Sequence, residues 1–155
     1  MATMLDGESY LGRVMIRPLS KTTKVSLFLW PLRCLKSGMG GPTFGVDVNG
    51  EEIIRYDAHG PRGHWHKNGY DKLGAGGSHV EFPENLREDM DGQIAWSLDQ
   101  LQSQTRALLT EAGHPNAAAA LEDAMLTAAV QDIQTHLAKE GNLRPLAIAK
   151  GVLKS

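Results

Sequence analysis

The spacing of hydrophobic residues along the chain changes near residue 83, and this change divides the sequence into two parts. In the first part apolar and polar residues alternate, as at Val25, Leu27 and Leu29, which is typical of β-strands with one buried face. In the second part apolar residues recur every three or four positions, which is typical of amphipathic helices. These residues are Leu86, Met90, Ile94, Leu98, Leu101, Leu108 and Leu109, followed by Leu121, Met125, Val130, Ile133 and Leu137.

The clearest strand signal is a hairpin at Asn49-Gly50. Both residues tolerate the positive φ angles that a two-residue turn needs, and the alternating segments 44–48 and 51–56 flank them. Glycine and proline predict loops at 37–42 and 60–63 and turns over 71–77, and Pro31 predicts an end to regular pairing in its strand. The remaining strands are predicted at Leu11–Leu19, Lys24–Pro31, His64–Tyr70 and His79–Phe82.

The second part predicts two helices, over residues 85–112 and 117–139. Acidic residues within 84–89 suit the start of the first helix, and Asn116 is expected to cap the second. Because only a few residues join the helices, we expect them to pack antiparallel. Residues 142–155 form a basic tail, which we expect to be loosely ordered or to act as an interaction arm.

These elements predict a single domain of the α+β class over residues 1–155. An antiparallel β meander of four to five strands with a His-rich turn would occupy residues 1–82, and two antiparallel helices would occupy residues 83–141. A chain of 155 residues is long enough to bury one hydrophobic core.

Composition narrows the class of protein further. The apolar fraction of 41% and the charged fraction of 22% fit a soluble globular domain. The single cysteine, Cys34, cannot form an internal disulfide and is expected to be a buried thiol. The longest apolar run, Leu27–Leu32, is too short for a membrane span and no signal-peptide core is present, so we expect a cytoplasmic location. Residues 9–46 contain six basic residues and no acidic one, which favours an anionic partner such as RNA if these residues share a surface.

The segment 55–67 carries the candidate chemistry. It contains three of the six histidines together with an aspartate, two arginines and a lysine. Imidazole has the pKa nearest neutrality among the side chains and is a frequent metal ligand. Strand alternation places Arg55, Asp57 and His59 on one face, and His64 and His66 on one face of the next strand. If residues 60–63 reverse the chain, the two polar sets converge, while Tyr56 and Trp65 pack toward the core.

Three interpretations of this cluster stay open at the level of sequence. The first is acid/base chemistry on a phosphodiester, with two histidines as acid and base and Arg55, Arg62 or Lys67 as the cation. The second is a metal site formed by Asp57, His59, His64 and His66. The third is a structural turn, in which the polar groups hydrogen-bond the backbone and Asp57 caps the turn.

Three stretches of the chain resemble the TumE family of toxin–antitoxin proteins. They are Val48 to Asp57, which ends in Arg-Tyr-Asp, then Gly63-His64-Trp65-His66, and then Val80-Glu81-Phe82 before an acidic helix. The resemblance covers about Lys24–Leu101. It implies a cytoplasmic protein that pairs with a DNA-binding antitoxin and acts on RNA, and its motif positions here are Arg55, Asp57, His64 and His66.

Our first hypothesis is therefore a toxin-like protein, in enzymatic terms a ribonuclease, that acts on RNA without a cofactor or metal. Its catalytic residues would be His64, His66, Arg55 and Asp57, assisted in substrate binding by His59, Arg62 and Lys67. The alternative is a non-enzymatic protein of a phage or mobile element that binds and inhibits a host defence complex. Both hypotheses expect a protein partner and no membrane association, and both are compatible with a homo-oligomer.

Overall fold

The computed structural model describes residues 9–35 and 38–153 and confirms the α+β class. Within these residues, seven antiparallel strands form one sheet, and five helices accompany it. The strands are β1 (Ser9–Leu11), β2 (Met15–Pro18), β3 (Val25–Cys34), β4 (Gly40–Val48), β5 (Glu51–Asp57), β6 (His64–His66) and β7 (His79–Val80). The helices are α1 (Tyr70–Ser78), α2 (Met90–Glu111), α3 (Pro115–Ala120), α4 (Asp123–Glu140) and α5 (Arg144–Ala149), with a 3₁₀ turn at Glu84–Leu86.

The sheet is built around the predicted hairpin, and its strand order is β1-β3-β4-β5-β6-β7, with β2 also paired to β3. Asn49 and Gly50 have φ angles of 53° and 83°, so the hairpin at this position is confirmed. The sheet has more strands than the four to five expected. Part of the difference arises because the first predicted strand is divided into β1 and β2 near Gly12, whose φ is 85°.

Two predictions around β3 and β4 need correction. Pro31 interrupts the register but does not end the strand, because β3 resumes pairing with β4 at Arg33 and runs to Cys34. The loop predicted over 37–42 is strand from Gly40 onward, and Ser37 lies outside the described residues. Glycine lets the backbone of β4 approach Ala58 closely, since a Cβ on Gly41 would lie 2.5 Å from the carbonyl oxygen of Ala58.

The predicted turns over 71–77 are also wrong, because this stretch forms helix α1. The helix contains a kink at Gly74, whose φ is 74°, so glycine permits a bend rather than ending the element. Helix α1 lies against β5 and β6, with the ring of Tyr70 over the guanidinium of Arg55 at 4.1 Å. The predicted strands on either side are correspondingly short and end at His66 and Val80.

The helical part keeps the predicted antiparallel pair but divides the second helix. Arg106 of α2 bonds Asp123 at the start of α4, whereas Gln102, one turn earlier in α2, bonds Thr127, which lies later in α4. The second predicted helix breaks at Leu121, which is extended with ψ of 134°, and the predicted cap Asn116 lies inside α3. None of the helices within the described ranges combines the length and apolar composition that a membrane crossing requires.

The main core lies between the helices and one face of the sheet. Tyr56 and Trp65 stack at 5.4 Å between ring centroids, and Trp96 of α2 packs against Trp65 at 5.8 Å and against Phe82 at 5.6 Å. Both sheet residues are buried, as predicted from strand alternation. The thiol of Cys34 is buried as predicted, in a separate small cluster near the C-terminus.

The C-terminal segment is packed rather than loose. Helix α5 buries Ala147 completely, Leu153 is 4% exposed, and the Arg144 guanidinium donates to the carbonyl oxygen of Gly40. The expectation of a loosely ordered tail is therefore wrong up to Leu153, and Lys154 and Ser155 lie outside the described residues.

Candidate functional site

The polar cluster lies on the face of the sheet opposite α2, and α1 packs against it there. Cross-strand pairing places Thr43 beside Asp57 and Asp57 beside His64, and it places Arg55 beside His66. Residues paired across antiparallel strands point to the same side, so all these side chains share one face. The predicted convergence of the segments around 55–59 and 64–66 is confirmed.

Asp57 is the centre of this cluster. Its carboxylate is 2% exposed and accepts hydrogen bonds from Thr43 Oγ1 at 2.8 Å and from Arg55 Nε at 3.1 and 3.2 Å. Arg33 Nη1 lies 3.6 Å from Oδ1. Burial by itself raises the pKa of Asp57, but the charge of Arg55 and its neighbours outweighs burial and holds the pKa well below its usual range. The site therefore contains a buried carboxylate that is ionised at neutral pH.

Two imidazoles face this carboxylate from β6. The Nε2 atoms of His64 and His66 each lie 3.4 Å from Asp57 Oδ2. Burial lowers the pKa of His66, although Asp57 opposes the shift. The His66 side chain is 1% exposed and that of His64 is 20% exposed, so the cluster reaches solvent through His64.

The other nitrogen of each imidazole is bonded on the far side of the ring. His66 Nδ1 lies 2.9 Å from Ser78 Oγ, and that hydroxyl donates to the carbonyl oxygen of Gly74 at 2.6 Å. His64 Nδ1 lies 2.9 Å from the carbonyl oxygen of Arg62. Within the described part of the chain, Asp57, His64 and His66 offer ligand atoms that all lie within 4.8 Å of one another. Two nitrogens and one carboxylate oxygen are a ligand set that divalent transition metals bind.

His59 has a different place from the one predicted for it. Its side chain is fully buried, and its Nε2 lies 2.9 Å from Thr43 Oγ1 and 3.8 Å from Asp57 Oδ1. Burial lowers the pKa of His59 to about 4, so the ring is neutral at pH 7. The expectation that His59 contacts a substrate is therefore corrected. His59 instead contacts Thr43 and Asp57 from the protein interior.

The two remaining predicted substrate-binding residues lie near the surface. Arg62 is exposed on the turn before His64 and has a φ of 67°. Lys67 is partly buried and its Nζ lies 3.1 Å from Glu111 Oε2 of α2. The turn thus places Arg62 two residues before the partly exposed His64, and Lys67 pairs with Glu111.

Several residues of the site were missed by sequence reasoning. Arg55 Nη1 donates to Glu52 Oε1 at 3.3 Å, and Glu52 is completely buried. Burial raises the pKa of Glu52 to about 7, against the opposing charge of Arg55. Sequence reasoning also missed four further residues of the cluster, which are Arg33, Thr43, Tyr70 and Ser78. It missed Gln93 of α2 as well.

Gln93 of α2 holds the turn that joins the two polar segments. Its Oε1 accepts from the Gly60 amide at 2.9 Å, and its Nε2 donates to the carbonyl oxygens of Gly60 at 2.9 Å and Leu86 at 2.8 Å. A Cβ on Gly63 would lie 2.6 Å from the same Oε1, so glycine is needed there for the contact. The position of His64 thus depends on a residue of α2, which lies far from it in sequence.

The basic run at 9–46 does not form the single open surface that was considered. Arg17 and Lys21 form ion pairs with acidic residues of the helical part at 3.0 and 3.8 Å, and Arg33 is buried in the cluster. Lys36 lies outside the described residues. This run therefore gives Arg33 to the cluster, whereas Arg17 and Lys21 stay at the surface beside acidic partners.

Comparison with known proteins gives a family without an assigned activity. A family model described as a domain of unknown function (DUF7700) matches residues 36–137. That range includes every residue of the cluster described above except Arg33. No curated protein and no solved structure matches the chain.

Proposed function

We propose that this chain, which belongs to the family described as a domain of unknown function (DUF7700), acts on RNA as a toxin-like protein through its His–Asp–Arg cluster. One observation carries the proposal: two imidazoles and a buried, ionised carboxylate converge at the point where His64 reaches solvent. Such groups perform acid/base chemistry and bind metals, and their burial beside partners costs stability that a purely structural turn does not require.

The reaction that suits this set is cleavage of a phosphodiester. In the metal-free form of that reaction, a 2′-oxygen attacks phosphorus, a base takes its proton, and an acid gives a proton to the departing 5′-oxygen. In this proposal His64 is the group that reaches the substrate, and Arg62, exposed on the adjacent turn, supplies a cation for the phosphate. Arg55 contributes indirectly, because it is buried and its hydrogen bonds fix Asp57.

The resemblance to the TumE family supports the toxin part of the proposal. The matching motif positions Arg55, Asp57, His64 and His66 are the ones that meet in space. A DNA-binding antitoxin is the partner that this resemblance implies.

The proposal is tested by inducing the wild type and the His64→Ala variant in a bacterial host. His64 is partly exposed, so its loss is expected to leave the fold intact. We expect the wild type to slow growth and to shorten cellular RNA, and His64→Ala to do neither. His114→Ala, in the turn between α2 and α3, serves as the matched control and should keep the wild-type effect. Equal growth arrest by folded His64→Ala would contradict the proposal.

A protein-binding inhibitor remains the second candidate, because one surface favours a protein partner. A cleft of about 630 Å³ opens between the sheet and the helices, lined by residues such as Leu32, Ile94 and Leu143. Near it, Leu146, Ile148 and Val152 are 46%, 38% and 38% exposed. Recovery of a stoichiometric protein partner, with unchanged RNA after induction, would favour this candidate over the first.

A further inference from the structure

We propose that Asp57, His64 and His66 bind one divalent transition-metal ion, such as Zn²⁺, at the edge of the sheet. The inference concerns the same cluster as the proposed function and names the ion that this cluster would hold. Metal binding is nevertheless measured without RNA, so the two proposals can fail separately.

The hydrogen bonds of the two imidazoles show which ring nitrogen holds the proton. The Ser78 hydroxyl has one hydrogen and gives it to Gly74, so it accepts from His66 Nδ1–H. The Arg62 carbonyl can only accept, so His64 Nδ1 is also a donor. In the neutral rings the Nε2 atoms therefore carry lone pairs, and both lone pairs face a carboxylate oxygen.

This arrangement brings three acceptor atoms together. His66 Nε2 is buried and has no hydrogen-bond partner within the described residues. A buried polar atom without a partner is destabilising, and a facing carboxylate increases that cost. An ion coordinated by all three atoms would convert this repulsion into three bonds.

Two of the three separations between the ligand atoms match such an ion, and all three lie within 4.8 Å. Asp57 Oδ2 lies 3.4 Å from His64 Nε2 and 3.4 Å from His66 Nε2. Two ligand atoms about 2.1 Å from one ion at a tetrahedral angle lie about 3.4 Å apart. Each histidine also donates a hydrogen bond from its Nδ1–H to an oxygen acceptor, which is the usual way in which a metal-binding imidazole is oriented.

Three protein ligands leave further positions on the ion for water or substrate. These positions face the solvent side, because the His64 side chain is 20% exposed while those of Asp57 and His66 are nearly inaccessible. His59, which the sequence also suggested as a ligand, is excluded because its Nε2 bonds Thr43.

The surrounding charges indicate what such a site would attract. The buried arginines Arg33 and Arg55 already accompany the carboxylates of Asp57 and Glu52. A bound dication therefore makes the site net positive, and an anion such as a phosphodiester is the ligand that completes it. The dication would polarise a phosphoryl oxygen and lower the pKa of a coordinated water, so His64 and His66 would act as ligands rather than as acid and base.

The test is a calorimetric titration of the chelator-stripped full chain with Zn²⁺, repeated with Co²⁺ while visible absorption is recorded. We expect one equivalent to bind the wild type, and His64→Ala to bind at least about 100-fold more weakly, with an unchanged circular dichroism spectrum. Ser78→Ala, which removes the acceptor behind His66 together with its bond to Gly74, should weaken binding about 10-fold. The control is His79→Ala, since its ring lies 4.6 Å from that of His64 but outside the triad, and its affinity should stay within about threefold.

Three results would overturn the metal assignment: no stoichiometric binding to the wild type, equal binding by His64→Ala, or an equal loss in His79→Ala. Stoichiometric zinc binding by a protein that leaves RNA intact would contradict the proposed function alone. RNA cleavage by a chain that binds no zinc, cobalt or manganese would contradict the metal assignment alone.

Discussion

The contact between Gln93 and the turn at Gly60 gives the sharpest stability prediction. Gln93 is completely buried and makes three hydrogen bonds, two to Gly60 and one to Leu86. Gln93→Leu keeps the size of the side chain and removes all three bonds. It leaves the amide of buried Gly60 without a partner, while the Gly60 carbonyl keeps its bond from the Gly63 amide.

The expected cost follows from those lost partners. The unpaired Gly60 amide costs about 1–3 kcal/mol. The Gly60 and Leu86 carbonyls keep other donors, so each of those two lost bonds costs only about 0.5–1.5 kcal/mol, and we expect a total near 3 kcal/mol. Urea unfolding followed by circular dichroism measures this change. With an m-value of about 2 kcal/mol per M, the midpoint should fall by about 1.5 M.

Gln102→Leu provides the matched control on the same helix. Gln102 is exposed and makes one hydrogen bond, to Thr127 at 3.1 Å, so its replacement should cost less than about 0.5 kcal/mol. Because the turn also positions His64, Gln93→Leu is further expected to weaken zinc binding. If Gln93→Leu unfolds at the same urea concentration as Gln102→Leu, the hydrogen bonds of Gln93 do not stabilise the turn at Gly60.

Two further predictions concern buried groups of the sheet. Glu52→Gln keeps an acceptor for Arg55 but removes a carboxyl whose pKa rises from its ordinary value of 4.5 to about 7 on folding. The unfolded chain loses this proton first, so wild-type stability falls as pH rises from 4.5 to 7. In urea unfolding the variant should match the wild type near pH 4.5 and exceed it by on the order of 3 kcal/mol at pH 8. A pH-independent difference would show that Glu52 is not held protonated. Tyr56→Phe removes a buried hydroxyl that has no hydrogen-bond partner among the described residues, so thermal unfolding should show equal stability or a gain of up to about 1 kcal/mol; a clear loss would indicate a bond to that hydroxyl.

Part of the site could be predicted because local rules determine it. The Asn49-Gly50 turn sets the hairpin, and strand alternation then puts Arg55 and Asp57 on one face and Tyr56 on the other. The glycine and proline at 60–63 reverse the chain, so His64 and His66 return beside Asp57. These inferences need no knowledge of distant contacts.

The partner of Asp57 on β4 could not be predicted, because a bulge shifts the register. A regular two-residue hairpin at Asn49-Gly50 would pair Thr43 with Tyr56 and so turn it toward the helices. The structure pairs Thr43 with Asp57, since one extra residue of β5 is inserted opposite the junction of Val46 and Asp47. The hydrogen bond from Thr43 to Asp57 depends on that single residue.

Other parts of the site come from long-range packing that spacing does not encode. The stretch 71–77 contains three glycines and predicts turns, yet it is helical because Tyr70 packs on Arg55 and Ser78 bonds His66. Gln93 lies among polar and apolar residues of an amphipathic helix, and nothing local indicates that its amide faces the turn at Gly60.

The most direct test of the central claim, that the cluster is a metal-binding reactive centre, is a crystal structure of the full chain grown with Zn²⁺ and measured at the zinc edge. We expect an anomalous peak about 2.0–2.2 Å from Asp57 Oδ2 and from the Nε2 atoms of His64 and His66. Zinc bound elsewhere, with the two imidazoles hydrogen-bonded to Asp57 through water and no peak between them, would contradict it.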